Sequence, residues 1–259
     1  MRRLEGVGVL VTRPQAQAEP LCRLLEQHGA VPIRLPAIII EPTASQRELA
    51  ARLGDIMPSD LVVFTSANAV RYGAPLLEQR RDLTIAAIGP ATRRALNLAG
   101  YRVSIVPAQG FDSEHLLAEP GLRHIPGLRV VLIKGVGGRE LLAQEFAARG
   151  ARVDTIEVYR RRPAAPDAGL LRRIEAQAAA GDLQIVTATS MEIATALLAI
   201  SAPGLRAALE RLHWVVPGGR IAAAIRSLGL AAPLIEAASP EDQEIVGALL
   251  RWPIGESGE

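Results

Sequence analysis

The sequence has one cysteine, few aromatic residues and no histidine cluster, and each scarcity excludes a class of site. Cys22 alone can form neither an intramolecular disulfide nor a cysteine-based metal site. The four histidines do not stand at metal-ligand spacings. Aromatic residues make up 3% of the chain, and the basic residues are not interleaved with them as a base-stacking surface requires. We therefore expect no bound metal and no nucleic-acid partner.

Long apolar runs are also missing. No stretch of 18 apolar residues occurs, and the first residues show no apolar run of signal-peptide length. These absences predict a cytoplasmic protein with no membrane partner. They also disfavour a bilobal solute receptor, which would need an export signal.

Short apolar runs alternate with helical patterns along the chain. Hydrophobic residues make up 49% of the 259 residues, which is enough for a sizeable core, and the formal net charge is +2. Strand and helix alternation predicts the α/β class, with parallel sheets flanked by helices. The predicted strands are Val7–Thr12, Val31–Leu35, Leu61–Thr65, Ile85–Ile88, Val103–Val106, Val130–Ile133, Val153–Val158, Gln184–Thr187, Trp214–Val216 and Leu234–Ile235.

Three segments of the chain have later echoes. The pattern of residues 9–38 returns at 131–159, that of 64–68 at 188–192, and that of 88–92 at 216–220. Conserved order favours an internal duplication, although βα units of an alanine-rich chain also tend to look alike. A duplication predicts two similar lobes with a ligand cleft between them.

Proline-flanked segments suggest where these lobes meet. Pro36 and Pro42 flank one segment, and Pro163 and Pro166 follow another. Proline restricts the chain to extended forms at both. We expect an outer lobe of residues 1–35 and 164–259, with an inner lobe of residues 39–158 inserted into it.

Polar loops follow the predicted strands, where ligands bind in parallel α/β sheets. Free N–H groups, hydroxyls and arginines at helix N-termini bind carboxylate or phosphate groups. Each loop taken singly could also be a simple helix cap. No dinucleotide or P-loop glycine pattern is present, which disfavours a nucleotide-dependent oxidoreductase. The candidate binding residues are Arg13, Ser66, Ala67, Asn68, Thr92, Gly138, Arg139, Ser190, Gly218, Gly219 and Arg220.

These motifs together resemble the uroporphyrinogen-III synthase family along nearly the whole chain. The resemblance rests on the order of Val11-Thr12-Arg13-Pro14, Phe64-Thr65-Ser66-Ala67-Asn68, Ile88-Gly89-Pro90-Ala91-Thr92, Gly137-Gly138-Arg139-Glu140-Leu141 and Val158-Tyr159-Arg160-Arg161. Two departures stand out. Lys134 replaces a frequent arginine, and Pro217-Gly218-Gly219-Arg220 replaces a Gly-Pro-x-Thr-like turn.

The resemblance implies a lyase of tetrapyrrole (haem, sirohaem, cobalamin) biosynthesis. Such an enzyme cyclises hydroxymethylbilane with loss of water and inversion of ring D, without metal, nucleotide or covalent intermediate. The resemblance also implies two α/β lobes joined by a two-stranded ladder, and we expect a monomer.

Tyr159 matches a family tyrosine proposed as general acid, although a ladder tyrosine could equally be structural. The alternative is a family-like tetrapyrrole-binding or regulatory module that has lost catalysis.

Overall fold

The computed structural model describes residues 4–54, 56–78, 80–138 and 140–252, in which short strands alternate with helices. In chain order the strands are β1 (Gly8–Val11), β2 (Val31–Arg34), β3 (Ile38–Pro42), β4 (Leu61–Phe64), β5 (Thr84–Ala87), β6 (Arg129–Gly135), β7 (Arg152–Pro163), β8 (Ile185–Thr187), β9 (His213–Pro217) and β10 (Leu234–Ala237). The helices are α1 (Gln15–Gln27), α2 (Gln46–Leu53), α3 (Ala67–Gly73), α4 (Pro90–Leu98), α5 (Ser113–Ala118), α6 (Leu141–Ala148), α7 (Ala168–Ala180), α8 (Met191–Ile200), α9 (Pro203–Leu209), α10 (Gly218–Ser227) and α11 (Asp242–Arg251). Short 3-10 turns lie at Ala74–Leu77 and Pro120–Leu122. The predicted α/β class is confirmed.

The chain divides into two compact units. The first unit combines the chain up to Ile39 with the chain from Arg162 onward, and the second unit is Ile40–Arg161. β3 and β7 both cross the border between the units along the chain. The roles of these units as outer and inner lobes, and of the connecting segments as a ladder, stay predictions.

The first sheet has the strand order β10-β9-β8-β1-β2, and its strand pairs are all parallel. Alternate residues of its strands face opposite sides: Val9 and Val11 join one buried cluster, while Leu10 joins the other. Helices cover both faces, so the central strand β1 is apolar and buried at every residue, as strands inside parallel sheets generally are.

The second sheet has the order β3-β7-β6-β4-β5, with β7-β6, β6-β4 and β4-β5 parallel. Its strands divide between two clusters in the same way, since Val62 and Phe64 face one side and Leu61 and Val63 the other. At its edge, Thr43 of the chain after β3 donates a backbone hydrogen bond to Val158 of β7, at 3.3 Å.

The two sheets repeat one strand order when matched by the sequence echoes. Matching β1, β2, β8 and β9 with β6, β7, β4 and β5 turns the order β2-β1-β8-β9 into β7-β6-β4-β5. Equivalent residues also share a register: Val9 pairs with Ile185 as Val130 pairs with Leu61. This topology supports the predicted internal duplication.

The predicted strand Val103–Val106 is wrong as a strand. Only Ile105 bridges to the sheet, against Ala86 of β5. Both Ser104 and Ile105 donate their N–H groups to the one carbonyl of Ile85, and Pro107 has no N–H to continue a ladder. The contact therefore stays a single bridge, although it stands where β10 stands in the first sheet.

Glycines follow the ends of several helices. Gly29, Gly100, Gly150 and Gly229 follow helices with positive φ angles of 76–88°, the backbone region that glycine adopts without strain. Cys22 is fully buried in α1, as a packing role predicts. Among the residues that the structure describes, no helix is long and apolar enough to cross a membrane.

Candidate functional site

A pocket of about 270 Å³ lies in the second unit, beyond the carboxyl ends of β4 and β6. Its wall combines hydroxyl, charged and glycine residues with a few apolar ones. The lining residues are Thr65, Ser66, Ile88, Phe111, Asp112, Ser113, Leu132, Lys134, Gly135, Val136, Gly137, Gly138, Leu142, Tyr159 and Arg161. The rule for ligands at strand ends therefore locates a real cavity.

A glycine loop forms one wall of this pocket. β6 loses its regular register with β7 between Lys134 and Gly135. A Cβ atom at Gly135 would lie 2.5 Å from Cζ of Tyr159, so only glycine lets the tyrosine ring pack against this strand. Gly137 and Gly138 follow with φ angles of 74° and 81°, which turn the exposed backbone towards α6.

Tyr159 stands at the centre of a hydrogen-bonded group. Tyr159 is only 3% exposed, yet it lines the pocket. The phenol oxygen lies 3.1 Å from Oγ of Ser66 and accepts a hydrogen bond from Arg161 at 3.0 Å. The ring stacks on Tyr72 with centroids 6.1 Å apart, which holds it in place.

One of the two hydroxyl protons of Ser66 and Tyr159 remains available to a ligand. Arg161 only donates, and Ser66 Oγ already accepts the N–H of Ala69 at 3.0 Å as the N-cap of α3. The two hydroxyls of Ser66 and Tyr159 carry two protons, and the bond between them uses one. The pair can therefore present one O–H donor to the pocket, whichever residue carries it.

Lys134 places a second cation in the wall. It is the only lysine of the chain, and its side chain is 6% exposed at the end of β6. Its Nζ donates a hydrogen bond to Oε1 of Glu140 at 2.7 Å. Asp112 supplies a carboxylate on the far loop, where Nδ1 of His115 lies 2.6 Å from its Oδ1.

The corresponding strand ends of the first unit are tied up within the protein. Arg13 follows β1 and is 9% exposed. Its guanidinium donates to the Asp242 carboxylate and to the carbonyl of Pro240. Thr12 donates to the carbonyl of Thr187 within the same strand ends.

The structure brings only some of the predicted residues together. Ser66, Gly138 and Tyr159 line one pocket. Asn68 lies in the first turn of α3, Ala67 lines an apolar groove beside α4 instead, and Thr92 is only 2% exposed. Arg139 lies outside the described residues.

In the first unit, Ser190 caps α8 by accepting the N–H of Ile193 at 3.2 Å. Gly218 and Gly219 begin α10, and Arg220 is exposed in its first turn. A cleft shared by the loops of both units stays a prediction.

One predicted equivalence is shifted by a residue. Val215 pairs with Thr187 as Ala86 pairs with Val63, which aligns Ile221 with Thr92. The closing glycines, Gly229 and Gly100, obey the same alignment. The sequence comparison of the two turns suggested that Arg220 replaces the threonine hydroxyl, but Ile221 is the residue equivalent to Thr92. The comparison was wrong by one residue because the glycines leave the start of the second turn ambiguous in the sequence.

Sequence reasoning missed Arg161 and the Phe111–Ser113 segment as parts of the pocket. Arg161 lies within the run Arg160-Arg161-Arg162, and residue type alone does not tell which arginine of such a run faces a pocket. Its position two residues after Tyr159, on the same face of β7, was the available signal. The Phe111–Ser113 segment follows no strand, so the rule of strand ends could not find it.

Elsewhere, burial lowers the pKa of His213 on β9 below its usual value. The centroid of its ring lies 4.7 Å from that of the Trp252 ring. Within the described ranges, no group of three or more histidine, cysteine, aspartate or glutamate side chains is placed to hold a metal ion.

Known proteins match this chain over most of its length. A family model described as Uroporphyrinogen-III synthase HemD matches residues 19–246. The uroporphyrinogen-III synthase of Escherichia coli strain K12 is 34% identical over 160 residues, which cover 60% of this chain and 65% of that protein. This chain therefore spans less than two thirds of that relative's length. The synthase of Chlorobaculum parvum is 26% identical over 235 residues, covering 88% of this chain and 92% of its own.

Solved structures with the same fold carry similar names. The uroporphyrinogen-III synthetase of Helicobacter pylori 26695 has a TM-score of 0.62 at 13% identity, covering 94% of this chain and 98% of that one. A mutant uroporphyrinogen III synthase of the extremely thermophilic bacterium Thermus thermophilus has a TM-score of 0.56 at 23% identity, covering 94% and 96%. At these identities the likeness concerns the fold.

Proposed function

The chain belongs to the uroporphyrinogen-III synthase family, and from this premise we propose that it cyclises hydroxymethylbilane to uroporphyrinogen III. The observation that carries the proposal is the hydroxyl pair of Ser66 and Tyr159, held beside Arg161 in a pocket at the strand ends. The reaction is that of a lyase, because water is lost as the ring closes. It would serve tetrapyrrole biosynthesis.

Substrate binding would use the cations and backbone of the pocket. Hydroxymethylbilane carries eight carboxylates, and the pocket has room for only a part of it. Lys134 and Arg161 supply positive charge in the wall, and the Gly137-Gly138 backbone supplies exposed N–H groups. Together they would hold one substituted end of the chain.

The hydroxyl pair would assist the departure of the leaving group. The C–O bond of the hydroxymethyl group breaks with its electron pair on oxygen, which takes the proton from Ser66 or Tyr159 and leaves as water. Arg161 stabilises the negative charge that develops on the phenol oxygen as its proton leaves. The substituted carbon of ring D then attacks the pyrrole cation.

The remaining steps depend mainly on geometry. Attack at the substituted carbon gives a spiro intermediate. The original bond from that carbon to the ring C methylene then breaks and leaves its electron pair on ring D, which creates a second pyrrole cation on ring C. The other α-carbon of ring D attacks this cation and closes the macrocycle with ring D inverted. The ring-D carbon that forms the last bond loses its proton, which restores the proton given to water. The protein must hold the folded chain so that this attack outruns direct closure, an effect of orientation.

The isomer of the product tests this proposal. Hydroxymethylbilane closes by itself to the non-inverted type I isomer, so the purified protein should redirect freshly made substrate to type III, without added metal or nucleotide. Chromatographic separation of the isomers measures this. High salt should slow the reaction by screening the substrate carboxylates. Formation of type I alone, at the uncatalysed rate, would contradict the proposal. Binding without turnover would then identify a tetrapyrrole-binding module.

We also propose a cytoplasmic monomer that acts without nucleic acid. The short life of the linear substrate supports an enzyme in the compartment where that substrate is released. Size measurement by light scattering, with and without a stable tetrapyrrole, tests the monomer.

A further inference from the structure

The Lys134–Glu140 ion pair joins a buried cation to an exposed anion. Lys134 is fixed on β6, with a side chain that is 6% exposed, whereas the Glu140 side chain is 57% exposed. A buried ammonium needs an anionic partner, because water no longer solvates it. The 2.7 Å bond to Glu140 supplies that partner in the free protein.

We propose that Lys134 binds a carboxylate of the ligand, and that Glu140 occupies the place of this carboxylate until the ligand displaces it. The inference rests on the proposed function, since it assigns a residue to the same pocket. The proposal assigns a binding group to strand β6, whereas the binding residues predicted from the sequence were mostly expected in loops.

The Glu140 side chain can release Lys134 without disturbing the helix that it precedes. It follows the Gly137-Gly138 turn and stands at the N-cap of α6, where its side chain makes no capping hydrogen bond. Loss of the lysine contact would therefore return the carboxylate to water without unravelling a helix end. The carboxylate of an incoming ligand keeps the ammonium paired throughout.

The equivalent cation of the first unit lacks this freedom. Arg13 stands at the position of Lys134 in the aligned sheets, but two groups hold it. One is the Asp242 carboxylate, with a side chain that is 26% exposed, and the other is the Pro240 carbonyl. An exchangeable partner is therefore a feature of the Lys134 position and does not follow from the fold alone.

Other charges of the pocket bear on the same ligand. Arg161 adds attraction for carboxylates, but its terminal nitrogen is held to Tyr159. Asp112 would repel them, and its Oδ1 lies 2.6 Å from Nδ1 of the His115 ring.

Two substitutions with opposite effects test the proposal. Uroporphyrin III, a stable octacarboxylate, serves as the probe, and its fluorescence reports the dissociation constant. Glu140→Gln removes the competing charge but keeps an oxygen acceptor, so binding should tighten about fivefold. Lys134→Met should weaken binding about tenfold, because a charged hydrogen bond is lost. Lys134→Arg should bind nearly as the parent does.

Glu145→Gln is the matched control. Glu145 lies on α6 with an exposed side chain, 3.9 Å from Arg149, and its replacement removes the same charge away from the pocket. This variant should leave the dissociation constant unchanged. Circular dichroism confirms that each variant is folded.

Unchanged or weaker binding by Glu140→Gln, with folded protein, would overturn the exchange. Equal effects of Glu140→Gln and Glu145→Gln would do the same, because net charge alone would then explain them. The isomer assay on the parent protein separates the two proposals. A parent that binds uroporphyrin III but makes no type III product refutes the enzyme and leaves the Lys134 site standing.

Discussion

The equivalent strands β1 and β6 carry a basic residue at or just beyond their carboxyl ends, but the two residues have different surroundings. Arg13 bridges its strand to Asp242 and Pro240, whereas Lys134 faces a pocket with a single exposed partner. The sheets around them share order and register. Equivalent positions of the two sheets thus hold one cation with two internal partners and one that lines a pocket.

The helix-capping serines extend this contrast. Ser66 and Ser190 cap equivalent helices, with N–H···O distances of 3.0 Å and 3.2 Å. Of the two serines, only Ser66 also contacts a tyrosine, Tyr159. The residue of the first unit at the position equivalent to Tyr159 is the aliphatic Ile38, which follows Arg13 at the same separation as Tyr159 follows Lys134. The cap is shared by both units, whereas the contact with a tyrosine hydroxyl belongs to Ser66 of the second unit.

Removal of both the Ser66 and the Tyr159 hydroxyls, which the first unit lacks as a pair, should give the largest effect on turnover. Tyr159→Phe alone should slow turnover only about five- to tenfold, near the ~1 kcal/mol of one hydrogen bond, because Ser66 can still donate. The double variant with Ser66→Ala has no hydroxyl of this pair left to donate a proton and should lose about 10²-fold or more. Steady-state rates of type III formation measure both.

Ser45→Ala is a control for the loss of a helix cap, because Ser45 caps α2 by accepting the N–H of Glu48 at 3.3 Å. Both Ser66→Ala and Ser45→Ala should lower stability by about 1 kcal/mol, but Ser45→Ala should not change the rate per folded molecule. Strictly additive effects of the Tyr159 and Ser66 changes would mean that the two hydroxyls do not substitute for one another.

The next largest effect concerns the two cations. Arg13→Met leaves the Asp242 carboxylate partly buried without its partner and should lower the free energy of unfolding by about 2 kcal/mol. Lys134→Met frees the exposed Glu140 and should cost under about 1 kcal/mol. Denaturant titration compares them. Equal losses would show that both cations are structural.

The smallest effect comes from His213, a residue of the first unit. Burial lowers its pKa, so the folded state resists protonation more than the unfolded state does. Stability should therefore be complete above the ordinary pKa of about 6.5 and decline as the pH falls below it. Unfolding measured from a pH of about 8 to about 5 should show this slope, which His213→Phe should remove. An unchanged slope would assign the acid sensitivity to other groups.

Sequence periodicity predicts most of this fold because central strands such as β1 and β4 are short apolar runs that lie between two helical layers. It fails at Val103–Val106, where the run is apolar but one carbonyl serves two N–H groups. The Ser66 cap could be predicted from its residue type and position. The pairing of Lys134 with Glu140 could not, because a loop turn decides which charge comes near.

The discontinuity of the first unit has a consequence for synthesis on the ribosome. Thr12, just beyond β1, can form its hydrogen bond to the carbonyl of Thr187 only after that residue, 175 positions later, has been synthesised. At about 5–20 residues per second, that interval lasts roughly 10–35 seconds. β1 and β2 meanwhile keep an open strand edge that could pair with other chains, while the continuous second unit can already fold. Nascent chains arrested before β8 is made should therefore need chaperone protection of β1 and β2, and completed chains should not.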